Sequence, residues 1–458
     1  MFKNKKISYS FTLIPLVIIL FLFIWLFTVI FEGEKPLITL EPRPDFISQK
    51  QNFTIKISDM KRGLRTLKVS YSQGGRDVTI FEAKFPFEGL LNRDGVQSFE
   101  KKLTIDPSAL HLAQGRMDLN VQVWDYSRRG GGDGNMSLVM QKIAVDTIPP
   151  AIRAISRMHN VNKGGSGLVV YRTSSDTVAS GVYVDDHFFR GFPAEEKSKK
   201  GMYLAYFAIP YNSGSDPSVY LWAKDRAGNV ASSTFYYHVR RKRFRREKIN
   251  ITDRFLKRVL PYFSFYEFDP QDSDIDKYLK INRDLRKKDN ETLYKLMEET
   301  SPERLWDGAW TRLKNAATMA KFADHRGYYH KGEKVDEQFH LGIDLASLSS
   351  SPVEADNNGR VIFAERNGIY GLTVVIDHGQ GLATLCGHLS SIEVTKGQEV
   401  NKGDLIGHTG QTGLAGGDHL HLSILVHGVF VNPIEWWDSH WIEDNITRKL
   451  DIIKVKKE

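Results

Sequence analysis

The segment Asp418-His-Leu-His-Leu422 holds two histidines separated by one residue. In an extended strand successive side chains alternate faces, so His419 and His421 are predicted to project to one side while Leu420 and Leu422 face the other. Upstream, Phe339-His-Leu-Gly-Ile-Asp-Leu345 offers an imidazole and a carboxylate, His340 and Asp344, four positions apart. Four residues make two strand repeats, so this pair is also expected to share a face, and both groups are good ligands for a first-row metal. Three protein ligands with a fourth position left open define a catalytic zinc site, in which bound water reaches a pKa of about 7 and becomes nucleophilic near neutrality. A structural zinc would close all four positions, and a thiolate cluster is excluded because the chain has a single cysteine, Cys386.

These residues lie among further motifs. HLGID with the following Ala346, SPVEADNNGRV, VVIDHGQGLAT, GHLS, VTKGQEVNKGDLIGHTGQTG, and HLH with Val431-Asn-Pro433 occur in that order. As an ordered set they resemble the lysostaphin-type, or LytM-type, zinc endopeptidases that cleave peptidoglycan peptides. Residue by residue, the resemblance implies that His340, Asp344 and His421 hold one Zn2+ per chain. It implies that His388 of GHLS and His419 are the catalytic pair outside the metal ligands, a nearby imidazole taking the proton of water and later supplying one to the departing amine. No other cofactor-binding residue is expected. The implied domain is a compact all-β LytM-like barrel-sandwich hybrid, a duplicated hybrid motif with the metal at the base of a cleft. The implied activity is zinc-dependent hydrolysis of peptide cross-links or stem peptides of peptidoglycan, in cell wall remodelling. The alternative is a LytM-like non-catalytic regulator that activates another wall hydrolase.

The segment departs from the family pattern at Cys386, where an aromatic is usual, at Ala415 and Asp418 before HLH, and at Leu422-Ser423, where Phe-Glu is usual. None is one of the five site residues, so these changes bear on substrate choice and rate. His325, His330, His378, His408 and His427 show no convergent partner and are read as structural or surface residues. Cys386 is read as a small buried hydrophobe.

The elements that would carry this site to its place of action are legible upstream. Ile7 to Phe31 is uncharged and rich in Leu, Ile, Val and Phe, long enough to span a bilayer. Lys3, Lys5 and Lys6 precede it and Glu32 and Glu34 follow, which places the N-terminus in the cytoplasm. The apolar run exceeds a signal-peptide core and lacks an Ala-x-Ala site, so an uncleaved anchor is expected. The protein is then a single-pass protein of the cytoplasmic (inner) membrane, with its bulk on the periplasmic or extracellular side. From Lys35 to Val239 short alternating runs broken by Gly, Asn, Asp and Pro predict antiparallel sandwiches. Val121, Val123, Trp124, Asp125 and Gly134-Asn135 recur about a hundred residues later as Val219, Leu221, Trp222, Asp225 and Gly228-Asn229, a spacing of one immunoglobulin-like module per copy.

The basic run Arg240 to Lys248 reads as a solvated linker. Between Ile251 and Phe322 apolar residues at three and four spacing, among them Phe255, Val259, Ile275, Leu279, Leu305, Trp306 and Leu313, predict a helical connector that packs as a spacer. The expected organisation of this mainly β protein is an anchor (1–34), two immunoglobulin-like β-sandwiches (35–148 and 149–240), a basic linker with a helical connector (241–323), the peptidase domain (324–438) and a charged tail (439–458). A net charge of +8 suits an anionic partner. The partners expected are peptidoglycan, the inner membrane and an envelope protein docking on the sandwich modules; nucleic acid is not expected, given the topology.

Overall fold

The computed structural model describes residues 10–194 and 201–454; Lys3, Lys5 and Lys6, on which the expected orientation rests, lie outside the described residues. The protein is mainly β. Its first described element is the helix Ser10–Ile30, uncharged throughout, with no buried residue in the stretch Leu13–Ile30. At 1.5 Å per residue such a helix matches a hydrocarbon core about 30 Å thick, and its length and composition are those of a membrane span or a signal sequence.

The chain divides into two compact units, Met1–Pro149 with Arg226–Asn229, and Pro150–Asp225 with Val230–Glu458. In the first, a sheet of Leu37–Glu41, Gln51–Ser58 and Ser98–Ile105 faces a second sheet ordered Phe46–Ile47, Met136–Val145, Gly115–Asp125, Leu64–Gln73 and Arg76–Lys84. Alternation does the folding: every second residue from Met117 to Asp125 is buried, and Val121 and Val123 meet Phe53, Ile55 and Ile57 in one core. Asp125 is buried because it works as a turn clamp, accepting from the backbone N–H of Ser127 (3.0 Å) and of Asn135 (2.7 Å). In the second copy Asp225 is buried as well, on the same strand as the inward-facing Val219 and Leu221.

In the second unit, a sheet ordered Phe192–Pro193, Met202–Ala208, Ser166–Thr173 and Ile152–Ala154 accompanies one ordered His187–Arg190, Thr177–Val184, Val219–Asp225 and Val230–Thr234. This sandwich shares one continuous core with the C-terminal domain. Glu435, on the short helix Pro433–Trp437, accepts from Asn162 Nδ2 at 2.7 Å and Ser166 N at 3.0 Å, while the neighbouring Trp436 is fully buried against Tyr206, Trp306 and Trp310.

The connector is partly helical. Helices Asp253–Val259, Asp274–Lys280 and Arg286–Leu296 form, the first capped by Thr252 and the second by a Ser273–Asp276 capping box. Residues 300–316 contain no helix, contrary to the periodicity of Leu305, Trp306 and Leu313. Trp306 and Trp310 are anchored individually in the tryptophan cluster, so their spacing records tertiary packing of an irregular chain. The basic run is not only a linker: Arg246–Asn250 is a strand, paired in parallel with His325–His330.

In the C-terminal domain the main sheet runs Ala317–Ala320, Ile343–Ala346, Leu420–Val426, Leu382–Leu389, Gly371–Gly379, Gly359–Asn367 and Glu399–Val400, and Val429–Val431 pairs onto Leu420–Val426. A smaller sheet of Pro352–Glu354, Leu405–His408 and Ser391–Ile392 and a third of Arg246–Asn250, His325–His330 and Glu333–Phe339 complete it. Removing the Glu435 carboxylate leaves two buried donors unpaired, so Glu435→Ala is expected to lower unfolding free energy by about 1–3 kcal/mol per lost partner. Urea denaturation of the purified protein reads this directly, as a fall in midpoint at unchanged slope.

Candidate functional site

Register alone brings two of the candidate residues together. Ile343–Ala346 and Leu420–Val426 are antiparallel neighbours in which Asp344 sits opposite His421, and Gly387, beside His388, is opposite His421 from the other flank. His340 arrives differently from expectation. It does not share a strand with Asp344 but lies in the turn between Glu333–Phe339 and Ile343–Ala346. Gly342 makes that turn possible, because a Cβ there would stand 2.5 Å from His421 Nε2. His419 likewise precedes its strand, held by a single bridge to Gly410.

The three donors proposed for metal converge tightly. His340 Nε2 is 2.8 Å from Asp344 Oδ1 and 3.0 Å from His421 Nδ1, and His421 Nδ1 is 3.0 Å from the same oxygen. The outer ring nitrogens decide what these inner ones are. His340 Nδ1 faces the Lys321 carbonyl at 3.1 Å, which can only accept, so the proton of a neutral ring is on Nδ1 and Nε2 presents a lone pair. His421 Nε2 is 3.0 Å from Ser423 Oγ, whose own proton goes to the Leu341 carbonyl at 2.7 Å, so Nδ1 also presents a lone pair. Two lone pairs and a carboxylate oxygen aimed at one point within hydrogen-bond distance repel unless a cation lies among them. The residues therefore fit a zinc ion, with nitrogen and oxygen donors of the right kind and number.

The other two histidines are oriented by the same device. His388 Nδ1 donates to Thr412 O at 2.8 Å and His419 Nδ1 to Gly417 O at 2.8 Å, which turns each Nε2 toward the convergence point. Their rings are 4.8 Å apart, and His419 Nε2 is 3.5 Å from Asp344 Oδ1. His388 occupies the left-handed region at φ 62, a conformation a non-glycine residue holds only under tertiary constraint. Burial pushes the His388 imidazole well below its ordinary pKa; burial acts on His419 in the same sense, but the Asp344 carboxylate prevails and raises it.

Several partners were not visible as such in the sequence. Arg326 donates to Asp344 Oδ2 at 3.1 Å and to Glu247 Oε2 at 3.2 Å, so the strand grown from the basic run reaches the site through one buried guanidinium. Tyr370 packs its ring 5.4 Å from that of His421 and donates to Asn290 Oδ1 at 2.8 Å, and Asp289 accepts from Ile369 N at 2.7 Å. The helix Arg286–Leu296 thus holds the turn that walls the site. Ile249, Ile251, Phe255, Tyr278, Tyr328 and Leu414 line the outer part of the same cavity, whose volume is about 450 Å³.

The departures from the family pattern have structural roles. Ser423 is the acceptor that sets His421's tautomer. Asp418 accepts from Thr409 Oγ1 at 2.6 Å and Ser350 N at 3.2 Å, tying down the loop before His419. Cys386 is buried opposite Leu422 with its thiol pushed well up by burial. His378 Nδ1 donates to Asn358 O at 2.7 Å while Nε2 meets Thr384 Oγ1 at 2.9 Å, and His325, His330 and His408 pair with Glu337, Ile251 O and Ser391. His427 stacks on Phe192.

Comparison with known proteins meets this geometry. Residues 338–433 match Peptidase family M23, and the C-terminal part of the chain is an M23 peptidase domain. Over 97 residues it is 40% identical to the DD-carboxypeptidase/endopeptidase Mpg of Neisseria meningitidis, a match covering 21% of this chain and 22% of that protein. It is also 40% identical over 96 residues to the peptidoglycan DD-endopeptidase ShyA of Vibrio cholerae, with the same coverage. The murein hydrolase activator EnvC of Escherichia coli is 36% identical over 95 residues, 21% of this chain and 23% of that one. The chain thus spans less than a quarter of the length of these relatives.

Two outcomes follow from the site's supports. Ser423→Ala strands the His421 Nε2–H and is expected to weaken zinc binding about 10- to 100-fold, read by competition with a chelating dye. Behind the site, Asp356 accepts from Thr384 Oγ1 at 3.0 Å, but burial outweighs its hydrogen bonds and pushes its carboxyl up to about 7 from 3.8. A raised acid stabilises the fold fully below its unfolded value and loses that contribution as pH rises through the folded value. Unfolding free energy should therefore fall between about pH 4 and 7, by up to about 1.4 kcal/mol per unit, and Asp356→Asn should flatten that slope in urea titrations run at each pH.

Proposed function

We propose that this chain is a membrane-anchored zinc endopeptidase that hydrolyses cross-links or stem peptides of peptidoglycan. The observation that carries the reading is the convergence of His340 Nε2, Asp344 Oδ1 and His421 Nδ1 with their tautomers preset. These three would hold one zinc ion, and when bound it supplies a Lewis acid that activates water and polarises the scissile carbonyl. Arg326 holds the second Asp344 oxygen away from the convergence point, which favours one-oxygen ligation. His388 and His419 turn their Nε2 atoms toward that point, His419 Nε2 lying 3.5 Å from Asp344 Oδ1, and the pair is in position to accept the proton of the attacking water and to deliver one to the leaving amine nitrogen. The apolar and aromatic lining of the cavity lowers the polarity around the exchange.

The similarity to enzymes named for peptidoglycan endopeptidase activity supports the substrate class, and the apolar helix Ser10–Ile30 supports an anchor in the cytoplasmic membrane. The similarity to EnvC supports a second reading, a non-catalytic activator of another wall hydrolase. The complete set of five residues favours the enzyme.

Zinc content and muropeptide release separate the two. The purified protein should carry near-stoichiometric zinc and release new muropeptides from cross-linked peptidoglycan. His421→Ala should lose both, whereas His388→Ala should keep the zinc and lose about 10²- to 10⁴-fold in cleavage rate. Zinc without cleavage by the unaltered protein, together with stimulation of an added hydrolase, would establish the activator reading instead.

A further inference from the structure

The first unit carries a surface that neither the peptidase reading nor the sandwich fold requires. The apolar helix does not end in a free tether. Arg128 N donates to Ile30 O at 2.9 Å, Arg129 Nε to Phe31 O at 2.8 Å, Ser127 Oγ to Glu32 O at 2.8 Å and Asn135 Nδ2 to Glu34 O at 3.0 Å. Gly33 admits this contact, since a Cβ there would lie 2.6 Å from the Arg129 guanidinium. The last helical carbonyls and the residues after them are therefore satisfied by one end of the first sandwich, which leaves the chain no slack between helix and module.

That end of the sandwich exposes large apolar side chains. Met60 is 73% exposed, Phe87 51% and Leu90 79%. They sit on turns that are rigidly built and knit to the helix exit. Asp59 Oδ1 accepts from the backbone N–H of Lys61, Arg62 and Gly63; Arg62 donates to Leu91 O at 2.9 Å and Tyr126 O at 3.3 Å; Asn92 Nδ2 donates to Arg62 O at 2.7 Å. The Phe87 ring lies edge-on to Tyr126 at 5.2 Å, one residue from the Ser127 that holds Glu32. Leu91 and Asn92 adopt positive φ (58 and 63) to make the turn that pushes Leu90 outward. A rigid turn that holds an apolar side chain in solvent costs free energy without return unless something apolar covers it.

We propose that this end of the first sandwich seats on the bilayer surface from which the helix emerges, with Met60, Phe87 and Leu90 inserted at the boundary between headgroups and acyl chains. The proposal rests on the reading of Ser10–Ile30 as a membrane span. Given the span, a helix whose exit is pinned to the module places these turns at the interface, within the ~5–10 Å depth that interfacial side chains reach. Exposed Lys61, Arg93, Arg128 and Arg129 flank the apolar residues at headgroup level, but Lys61 pairs with Glu34, and Glu88 and Asp94 share the loop, so apolar insertion and not net charge carries the contact. Seating fixes the tilt of the module on the membrane where a flexible stalk would let it swing.

The test uses the full chain in nanodiscs of phosphatidylcholine alone, labelled with an environment-sensitive fluorophore at one introduced cysteine; native Cys386 is buried and stays unlabelled. Met60→Cys and Leu90→Cys report the proposed contact, Ala113→Cys reports the end of the sandwich where Gln73 holds the Ala113 backbone, and Leu20→Cys reports the span. The expected result is blue-shifted emission at positions 20, 60 and 90, quenched by shallow lipid spin labels at 60 and 90 and by deep ones at 20, with position 113 as in water. Emission at 60 and 90 matching position 113 while position 20 is in hydrocarbon would overturn the seating alone. Water-like emission at position 20 would overturn the span and the seating with it.

Discussion

The constraint on which the C-terminal domain depends is the orientation of imidazole rings. Four histidines face one small volume, and each is turned by a hydrogen bond on its far nitrogen, to Lys321 O, Thr412 O, Gly417 O or Ser423 Oγ. A neutral imidazole is a donor on one nitrogen and an acceptor on the other, so fixing the outer proton fixes the inner lone pair. Three backbone carbonyls supply most of this control, which means that the loop and strand backbone, more than the neighbouring side chains, sets the chemistry. The compactness of the β domain, its glycine turns and the strained backbone at His388 all serve to bring those carbonyls to the right places.

The surroundings extend that control outward. The carboxylate of Asp344 is shared between the histidines on one oxygen and Arg326 on the other, and Arg326 is itself held by Glu247 on a strand that belongs to the basic run. The helix Arg286–Leu296 grips the turn at Ile369 and Tyr370 through Asp289 and Asn290. Segments that look like connector in one dimension therefore form the wall of the cavity. The second sandwich is part of the same solid body, since Glu435 joins its backbone to the helix that follows the last strands and Trp436 closes the shared core. Packing of this kind transmits displacement, because close-packed interiors do not deform continuously.

Much was legible in one dimension because it depends on local rules. The uncharged run before Glu32 could only be a long apolar helix, and the period-two alternation from Met117 to Asp125 could only be a half-buried strand. The five candidate residues at the C-terminal site were found from residue type and motif order, and the structure gathers all five around one point. The sequence misled where periodicity had another cause: Leu305, Trp306 and Leu313 keep helical spacing in a segment with no helix, where Trp306 is instead fixed by its contacts in the tryptophan cluster. The strand reading put His340 and Asp344 on one strand face, whereas His340 lies before the strand and a turn at Gly342 brings the two side chains together.

By itself, then, the sequence determined the apolar helix, the alternating strands and the side chains available for chemistry, since these are properties of a few consecutive residues. The tertiary structure alone decided which nitrogen of each histidine carries the proton, that Arg326 and Glu247 belong to the site, and that Ser423 accepts from the far nitrogen of His421. Those facts depend on carbonyls and side chains brought together from positions as far apart as Glu247 and Ser423, and hydrogen bonds between such distant partners leave no periodic trace in the chain.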